Sequence, residues 1–330
     1  MQRFKNILFI IGREEKQEDS FARAVELAEH NRAELTVLDV LEGMDERRIK
    51  GERRLLAGQL MEIIRKERLA RIEQLITPIR AKETIKVYSK VTTGKLFMEV
   101  IKEVLRDGHD LVIKSAAPQH GLKSKLRAGP DMHLLRKCPC PVWIIKPGAH
   151  ARYQEIMAAV DVHPLDGDHS TEELNRQILE MASSLAVTES AGLRIAHAYR
   201  FFAEDFLWSD TDAPFSELDA EKWRQEDQES CRTKLEKLAT SIPLVKQTLA
   251  AENERLTIDL ASGDPKEVIP RLAHEKHIDL VVMGTVSRSG ISGFFIGNTA
   301  ESILHDIDCS VLAIKPPGFV SPVELSKFGL

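Results

Sequence analysis

An internal repeat constrains the fold of this chain more than any other feature. Asp110-Leu111-Val112-Ile113 returns as Asp279-Leu280-Val281-Val282. Cys140-Pro141-Val142-Trp143-Ile144-Ile145-Lys146-Pro147 returns as Cys309-Ser310-Val311-Leu312-Ala313-Ile314-Lys315-Pro316. Both pairs are 169 residues apart, from Asp110 to Asp279 and from Cys140 to Cys309, so no net insertion separates the copies there. Upstream, Gly94 matches Gly263 and Glu99-Val100-Ile101 matches Glu267-Val268-Ile269, with a one-residue slip between them. The openings correspond as well, Asn6-Ile7-Leu8-Phe9-Ile10-Ile11 against Glu155-Ile156-Met157-Ala158-Ala159-Val160. One duplication accounts for every pair. The 330 residues therefore divide into domains at 1–150 and 151–330, each long enough to bury its own core.

Within each copy, apolar runs of strand length alternate with helical patterns. The first copy reads as strands at 6–12, 34–41, 84–92, 110–115 and 141–146, with helices near 18–31, 46–77, 96–107 and 128–137. The second reads as strands near 155–161, 192–199, 255–261, 278–284 and 310–315, with helices near 170–186, 217–240, 265–276 and 298–306. Near-continuous apolar strands are those of a parallel sheet covered on both faces. Alternating β and α elements with right-handed crossovers then give an α/β fold, an open doubly wound sheet in each copy. In such sheets a ligand sits outside the carboxyl ends of the strands, where the strand order reverses. The long helix of copy one places Leu56, Leu60, Ile63, Leu69, Ile72 and Leu75 near one face, and its interleaved Arg, Lys and Glu residues read as a solvated, salt-laced face. Asp264-Pro265-Lys266-Glu267 is a helix start, with an N-cap acid, proline first and glutamate third.

Composition narrows the function classes. Hydrophobic residues at 43% and charged residues at 29% describe a soluble globular protein. A net charge of −5 argues against a dedicated nucleic-acid binder. The apolar run at 7–11 is too short for a signal-peptide core or a membrane span, so no membrane insertion is expected. Four cysteines without an export signal point to free thiols in a reducing cytoplasm. The one-residue spacer in Cys138-Pro139-Cys140 suits neither thioredoxin-like chemistry nor a zinc knuckle, and Cys140 and Cys309 read as small core fillers at strand starts.

The chemistry-bearing segment follows the fourth strand of copy two. It runs Gly284-Thr285-Val286-Ser287-Arg288-Ser289-Gly290-Ile291-Ser292-Gly293-Phe294-Phe295-Ile296-Gly297-Asn298-Thr299. A buried strand ends in glycine, a loop rich in glycine and serine follows, and Gly297-Asn298-Thr299 opens a helix. Glycines let backbone N–H groups approach an anion, hydroxyls add donors, and the helix N-terminus supplies unpaired N–H groups with a favourable dipole. Composition alone serves equally well for a simple βα loop capped at Asn298.

This spacing resembles that of the universal stress protein family, whose nucleotide-binding members carry glycine, two residues, glycine, nine residues, glycine, then serine or threonine. Gly284, Ser287 and Gly297 hold those positions, with Ser287 in place of the second glycine and Asn298, followed by Thr299, in place of the hydroxyl residue. Two further positions carry over. Asp161 matches the aspartate that faces base and ribose, and Ala198 falls where the family contacts adenine with a small apolar residue. The resemblance implies an adenine nucleotide, ATP, as the ligand of copy two. Copy one has Ser115, Pro118, Ala128 and Pro130 where copy two has Gly284, Ser287, Gly297 and Thr299, and Gly12-Arg13 in place of the aspartate. The stretch Met132-His133-Leu134-Leu135-Arg136-Lys137-Cys138-Pro139 and the tail Ser321-Pro322-Val323-Glu324 are similar to the E-type tandem members of proteobacteria. That likeness implies adenine nucleotide alpha hydrolase-like, Rossmann-like sheets whose last strands, 141–146 and 310–315, pair within the chain as an internal pseudo-dimer, with a homodimer as a further level of assembly. An unpaired edge strand gives a physical motive for such pairing.

Three classes of function follow: a cytoplasmic stress-response protein that binds a nucleotide for a regulatory or protective role, a slow ATPase, or a binding or scaffold protein for another ligand. For the second, no catalytic residue is assigned, because no Walker lysine-serine pair or acid-base dyad flanks the loop; Arg288 is a cation able to steady phosphates. For the third, Phe201, Phe202, Phe206, Trp208 and Phe215 cluster in a chain with 5% aromatics, either covering their own core or walling a pocket for an apolar or amphiphilic small ligand. His163, Asp166, Asp168, His169 and His197 match no standard metal-ligand spacing, and no metal residue is assigned.

Overall fold

A computed structural model describes residues 3–12, 17–42, 52–116, 129–148, 152–162, 169–200, 217–250, 255–285 and 297–325. They form two compact units, the first built on 3–148 with 319–325, the second on the described residues between 152 and 318.

The first unit contains β1 (Asn6–Ile11), α1 (Glu18–Asn31), β2 (Glu34–Leu41), α2 (Glu52–Arg80), β3 (Val87–Thr93), α3 (Leu96–Asp107), β4 (Leu111–Ser115), α4 (Pro130–Lys137) and β5 (Val142–Ile145). Its strands are all parallel, in the order β3-β2-β1-β4-β5. The second unit contains β6 (Glu155–Ala159), α5 (His169–Glu189), β7 (Gly192–Tyr199), α6 (Glu217–Ser241), α7 (Pro243–Ala250), β8 (Leu256–Ser262), α8 (Pro265–Glu275), β9 (Leu280–Gly284), α9 (Asn298–Asp306) and β10 (Ser310–Ile314). Its parallel order is β8-β7-β6-β9-β10, the same topology again. The order reverses between β1 and β4 and between β6 and β9, which places the ligand crevice of each unit at the carboxyl ends of those strands. Among the described elements only α7 was not expected from the sequence.

The central strands are apolar on both faces because helices cover both. Ile7, Leu8, Phe9 and Ile10 are fully buried, as are Leu280, Val281 and Val282. Helix α1 contributes Phe21, Ala24, Leu27 and Ala28, spaced to fall on one stripe. Both units then fix their strand starts in the same way. Asp110 accepts hydrogen bonds from the Lys5 and Asn6 N–H groups at 2.6 and 3.1 Å, and its own N–H donates to the Asn6 carbonyl. Asp279 does the same for Gln154 and Glu155 at 2.6 and 3.1 Å, with its N–H on the Glu155 carbonyl. The repeated Asp-Leu-Val segment is thus a clamp between the two strands that flank the crevice. Gly94 and Gly263 repeat a second device. Each donates its N–H to the carbonyl of the last residue of the second strand, Leu41 or Tyr199, with φ of 154° and 131° that L side chains rarely adopt.

Helix α2 departs from expectation. Its covered face is Ile72, Ile76 and Ile79, continued by Arg68, which reaches Asp39 of β2 at 3.6 Å. Leu56 and Ile63 are instead 63% and 62% exposed, and Leu60, Leu69 and Leu75 also face solvent. Apolar residues occur on two sides of this helix, and the side that meets the sheet is the one that also brings a cation to the buried Asp39. Among the described residues no helix is long and apolar enough to cross a membrane.

Cys138, Cys140 and Cys231 are buried and Cys309 is partly covered. The Cys138 and Cys140 sulfurs lie 3.6 Å apart, and the Cys138 contact followed by burial pushes the Cys140 thiol well above its ordinary pKa. Such thiols are inert fillers. Two outcomes are expected. Iodoacetamide on the folded protein should label Cys309 before the other three, as read by peptide mass spectrometry. Asp110→Ala and Asp279→Ala should each lower unfolding free energy by about 1–3 kcal/mol in denaturant titrations, with the Asn variants recovering part of the loss.

Candidate functional site in the second unit

Strand register brings the candidate residues of the second unit to one edge. Ala159 of β6 faces Ala196 of β7 on one side and Met283 of β9 on the other. Asp161 lies two residues beyond Ala159, Ala198 two beyond Ala196, and Gly284 one beyond Met283. All three therefore stand at the carboxyl ends of adjacent strands, across the point where the order reverses. Ser287 and Arg288 lie outside the described residues, as do Phe201, Phe202, Phe206, Trp208 and Phe215 and the candidate metal ligands His163, Asp166 and Asp168.

The Asp161 side chain is exposed while its backbone is pinned. Asn175 of α5, 4% exposed, accepts from the Asp161 N–H at 2.9 Å and donates to the Asp161 carbonyl at 2.6 Å. His197 of β7 braces the preceding residue, with Nδ1 3.1 Å from the Val160 carbonyl oxygen. A buried amide and a buried imidazole thus hold the strand end so that its carboxylate points to solvent. Ala198 is 7% exposed, a small residue in the floor of the edge rather than on its rim.

The loop after β9 is closed at its neck. The Gly297 N–H donates to the Thr285 carbonyl at 2.9 Å, so the end of β9 and the start of the next helix meet there. Thr285 is fully buried, donates its N–H to the Ile314 carbonyl, and accepts at Oγ1 from the Lys315 ammonium at 2.7 Å. Lys315 itself is 5% exposed, so a positive charge is held beneath the loop neck. The recurring Ile-Lys-Pro marks the repeat in the sequence, but its two lysines differ in the fold: Lys315 is buried and Lys146 is exposed.

Helix α9 then begins with Gly297 as N-cap, in an extended conformation (φ −62°, ψ 141°) and without a side-chain cap. Asn298 is therefore the first helical residue with an exposed side chain, not the cap, and Thr299 follows it half-buried. By contrast α8 is capped by Asp264, which accepts from the Lys266 N–H at 3.0 Å, as its sequence predicts. An uncapped first turn beside a buried ammonium is an anion-binding arrangement: the N–H groups and the dipole both favour negative charge.

Gly284 has a packing reason of its own. A Cβ there would lie 2.7 Å from Cδ2 of Leu174 and 3.7 Å from Ile178, both on α5. Its lack of a side chain lets α5 approach the end of β9.

The first unit fills the corresponding place with its own charges. β4 ends in Lys114 and Ser115, both buried, where β9 has Met283 and Gly284. The Lys114 ammonium donates to the Ser115 carbonyl at 2.6 Å and lies 3.1 Å from an oxygen of Asp131, in the first turn of α4. Asp131 is 5% exposed. A carboxylate already stands at that helix N-terminus, neutralised by a buried lysine. At the end of β1, the Gly12 N–H donates to Gln17 Oε1 at 2.8 Å, with no carboxylate at that position.

Gly284→Val should lower stability by about 1–3 kcal/mol through its collision with Leu174 and Ile178, seen as a lower melting temperature; an unchanged melt would remove the packing account of this glycine.

Comparison with known proteins agrees with the doubled fold. The model of the universal stress protein family matches residues 3–146 and again 152–315. Universal stress protein E of Escherichia coli (strain K12) is 32% identical over 231 residues, 69% of this chain and 68% of that protein. A universal stress protein E homolog of Haemophilus influenzae is 27% identical over 326 residues, 95% of this chain and 98% of its own length. Among solved structures, a functionally unknown protein from Pseudomonas aeruginosa PAO1 superposes with a TM-score of 0.70 at 25% identity, covering 96% of this chain and 94% of the other. With two matched domains over nearly its whole length, the chain belongs to the universal stress protein family.

Proposed function

We propose that this protein binds one adenine nucleotide per chain, ATP foremost, at the strand ends of its second unit, and that it acts in the cytoplasm as a regulatory or protective stress-response binding protein. The observation that carries this reading is the loop neck: the Gly297–Thr285 hydrogen bond, the uncapped start of α9, and the Lys315 ammonium on Thr285. Together they offer backbone donors and buried positive charge to a polyphosphate. Ser287, Arg288, Asn298 and Thr299 add donors to the same phosphates, while Asp161 and Ala198 serve ribose and base. The reading draws on the spacing shared with nucleotide-binding members of the family and assigns no catalytic step.

The stoichiometry of one follows from the first unit, where the Lys114–Asp131 pair takes up the place that phosphates would need. Expelling such a pair would strand a buried charge, a cost of about 3–5 kcal/mol.

Calorimetric titration with ATP, alongside native mass spectrometry of freshly purified protein, tests the proposal. One ATP per chain is expected, with Gly297→Val weakening binding at least about tenfold while leaving circular dichroism nearly unchanged and costing about 1 kcal/mol of stability, because the extended backbone admits valine although valine is a poorer N-cap than glycine. Undiminished affinity in that variant, or two equivalent sites per chain, would overturn it.

A further inference from the structure

We propose that Glu103, Asp107 and His109 of the first unit form a binding site for a divalent transition-metal ion of the zinc type, with the Lys90 ammonium as a built-in competitor for the same position.

Glu103 and Asp107 are one turn apart at the end of α3 and so share a face. The chain then turns through Gly108, left-handed at φ 69°, which brings His109 back towards them. Ligand atoms of the three side chains all lie within 4.8 Å of one another. The Glu103 and His109 side chains are buried, whereas Asp107 is 42% exposed and leaves the site open to solvent on one side.

A cation is already favoured there. Lys90 of β3 places its ammonium on Glu103 Oε1 and 3.3 Å from Asp107 Oδ2, and Arg106 meets the other Glu103 oxygen at 3.0 Å. The ion pairs account for the two carboxylates but not for the imidazole. His109 is 4% exposed, and neither of its ring nitrogens has a well-formed hydrogen bond among the described residues, although the Asn6 main chain lies beside the ring. A buried polar group left in that state costs about 1–3 kcal/mol. An ammonium cannot relieve this cost, because a lysine has donors only and the ring lone pair stays unused by it. A metal ion can, because it takes the lone pair.

One imidazole and two carboxylates make a borderline donor set suited to zinc, with water completing the coordination. Zinc–ligand distances of about 2.0–2.2 Å require the donors to draw closer than they stand. The exposed Asp107 can close that gap by a rotamer change, and Lys90, 37% exposed on a flexible stem, can turn its charge out to solvent. The site lies before β4, at the amino ends of the strands of the first unit. It is therefore independent of the nucleotide reading.

The test uses the full chain, stripped with chelator, and measures retained zinc by elemental analysis and the visible absorption of bound cobalt. The wild type should take up one equivalent that His109→Ala and Asp107→Asn lose or hold at least about tenfold more weakly. Lys90→Met should bind at least about tenfold more tightly, since its competitor is gone. Metal held elsewhere in the chain would persist unchanged in all three variants and is subtracted. Asp107→Asn alters an exposed helix end, so the comparison stands even if His109→Ala unfolds. No uptake by the wild type, equal uptake by Asp107→Asn, or no tighter binding by Lys90→Met would each overturn the proposal.

Discussion

Everything at the ligand end of each sheet depends on a clamp at the other end. Parallel strands joined by long crossovers have no hairpin to set their register, so something else must fix where the strands flanking the switch point begin. Here an aspartate just before the fourth strand accepts two backbone N–H groups at the start of the first and returns its own N–H to the same segment. Charge-assisted bonds to main-chain donors are among the stronger polar contacts available. With β1 and β4 (or β6 and β9) aligned at their starts, their carboxyl ends are aligned too. Asp161 and Gly284 stand at one level as a consequence.

From that common frame the two units diverge in electrostatics. Each brings a buried lysine to the carboxyl edge of its sheet, but from a different strand. In the first unit Lys114, on β4, meets Asp131 in the first turn of α4, and the helix dipole and the lysine are both answered within the chain. In the second, Lys315 follows β10 and donates to the hydroxyl of Thr285, and the neighbouring helix has no side-chain cap but carries Glu301 in its first turn. A hydroxyl accepts a hydrogen bond without neutralising charge. The buried lysines of the two units thus meet different groups, a carboxylate in the first and a hydroxyl in the second.

The fold was legible because its signals are local and doubled. Apolar runs such as 7–11 and 280–282 mark buried parallel strands, and the constant offset aligned the copies without knowledge of any contact. Helix α2 was not legible in the same way. Two stripes of apolar residues were available, and the one that packs is Ile72, Ile76 and Ile79, on the side from which Arg68 reaches Asp39. Such a pairing spans β2 and α2, and periodicity carries no trace of it. At the candidate site, spacing singled out Asp161, Gly284 and Gly297. It missed Asn175 and Lys315, whose roles exist only once α5 and β10 have packed against the strand ends.

A duplicated chain offers its own control for what the fold needs against what a ligand needs. Asp110 and Asp279, or Gly94 and Gly263, are the same residue in both copies because both sheets must register and both chains must turn out of the third strand. Gly284 and Ser115 differ, yet each is matched to its own packing: α5 presses Leu174 against the one, and the other lies fully buried beside Lys114. A glycine at the end of β9 is thus explained by packing before any phosphate is invoked, and by itself says little about a nucleotide. Gly297 is different. It sits in an extended conformation that other residues adopt freely, so its backbone does not require glycine. Its N–H closes onto the Thr285 carbonyl, and it opens α9 as the N-cap. The case for an anion there rests more on Gly297 and Lys315 than on the glycine that opens the motif.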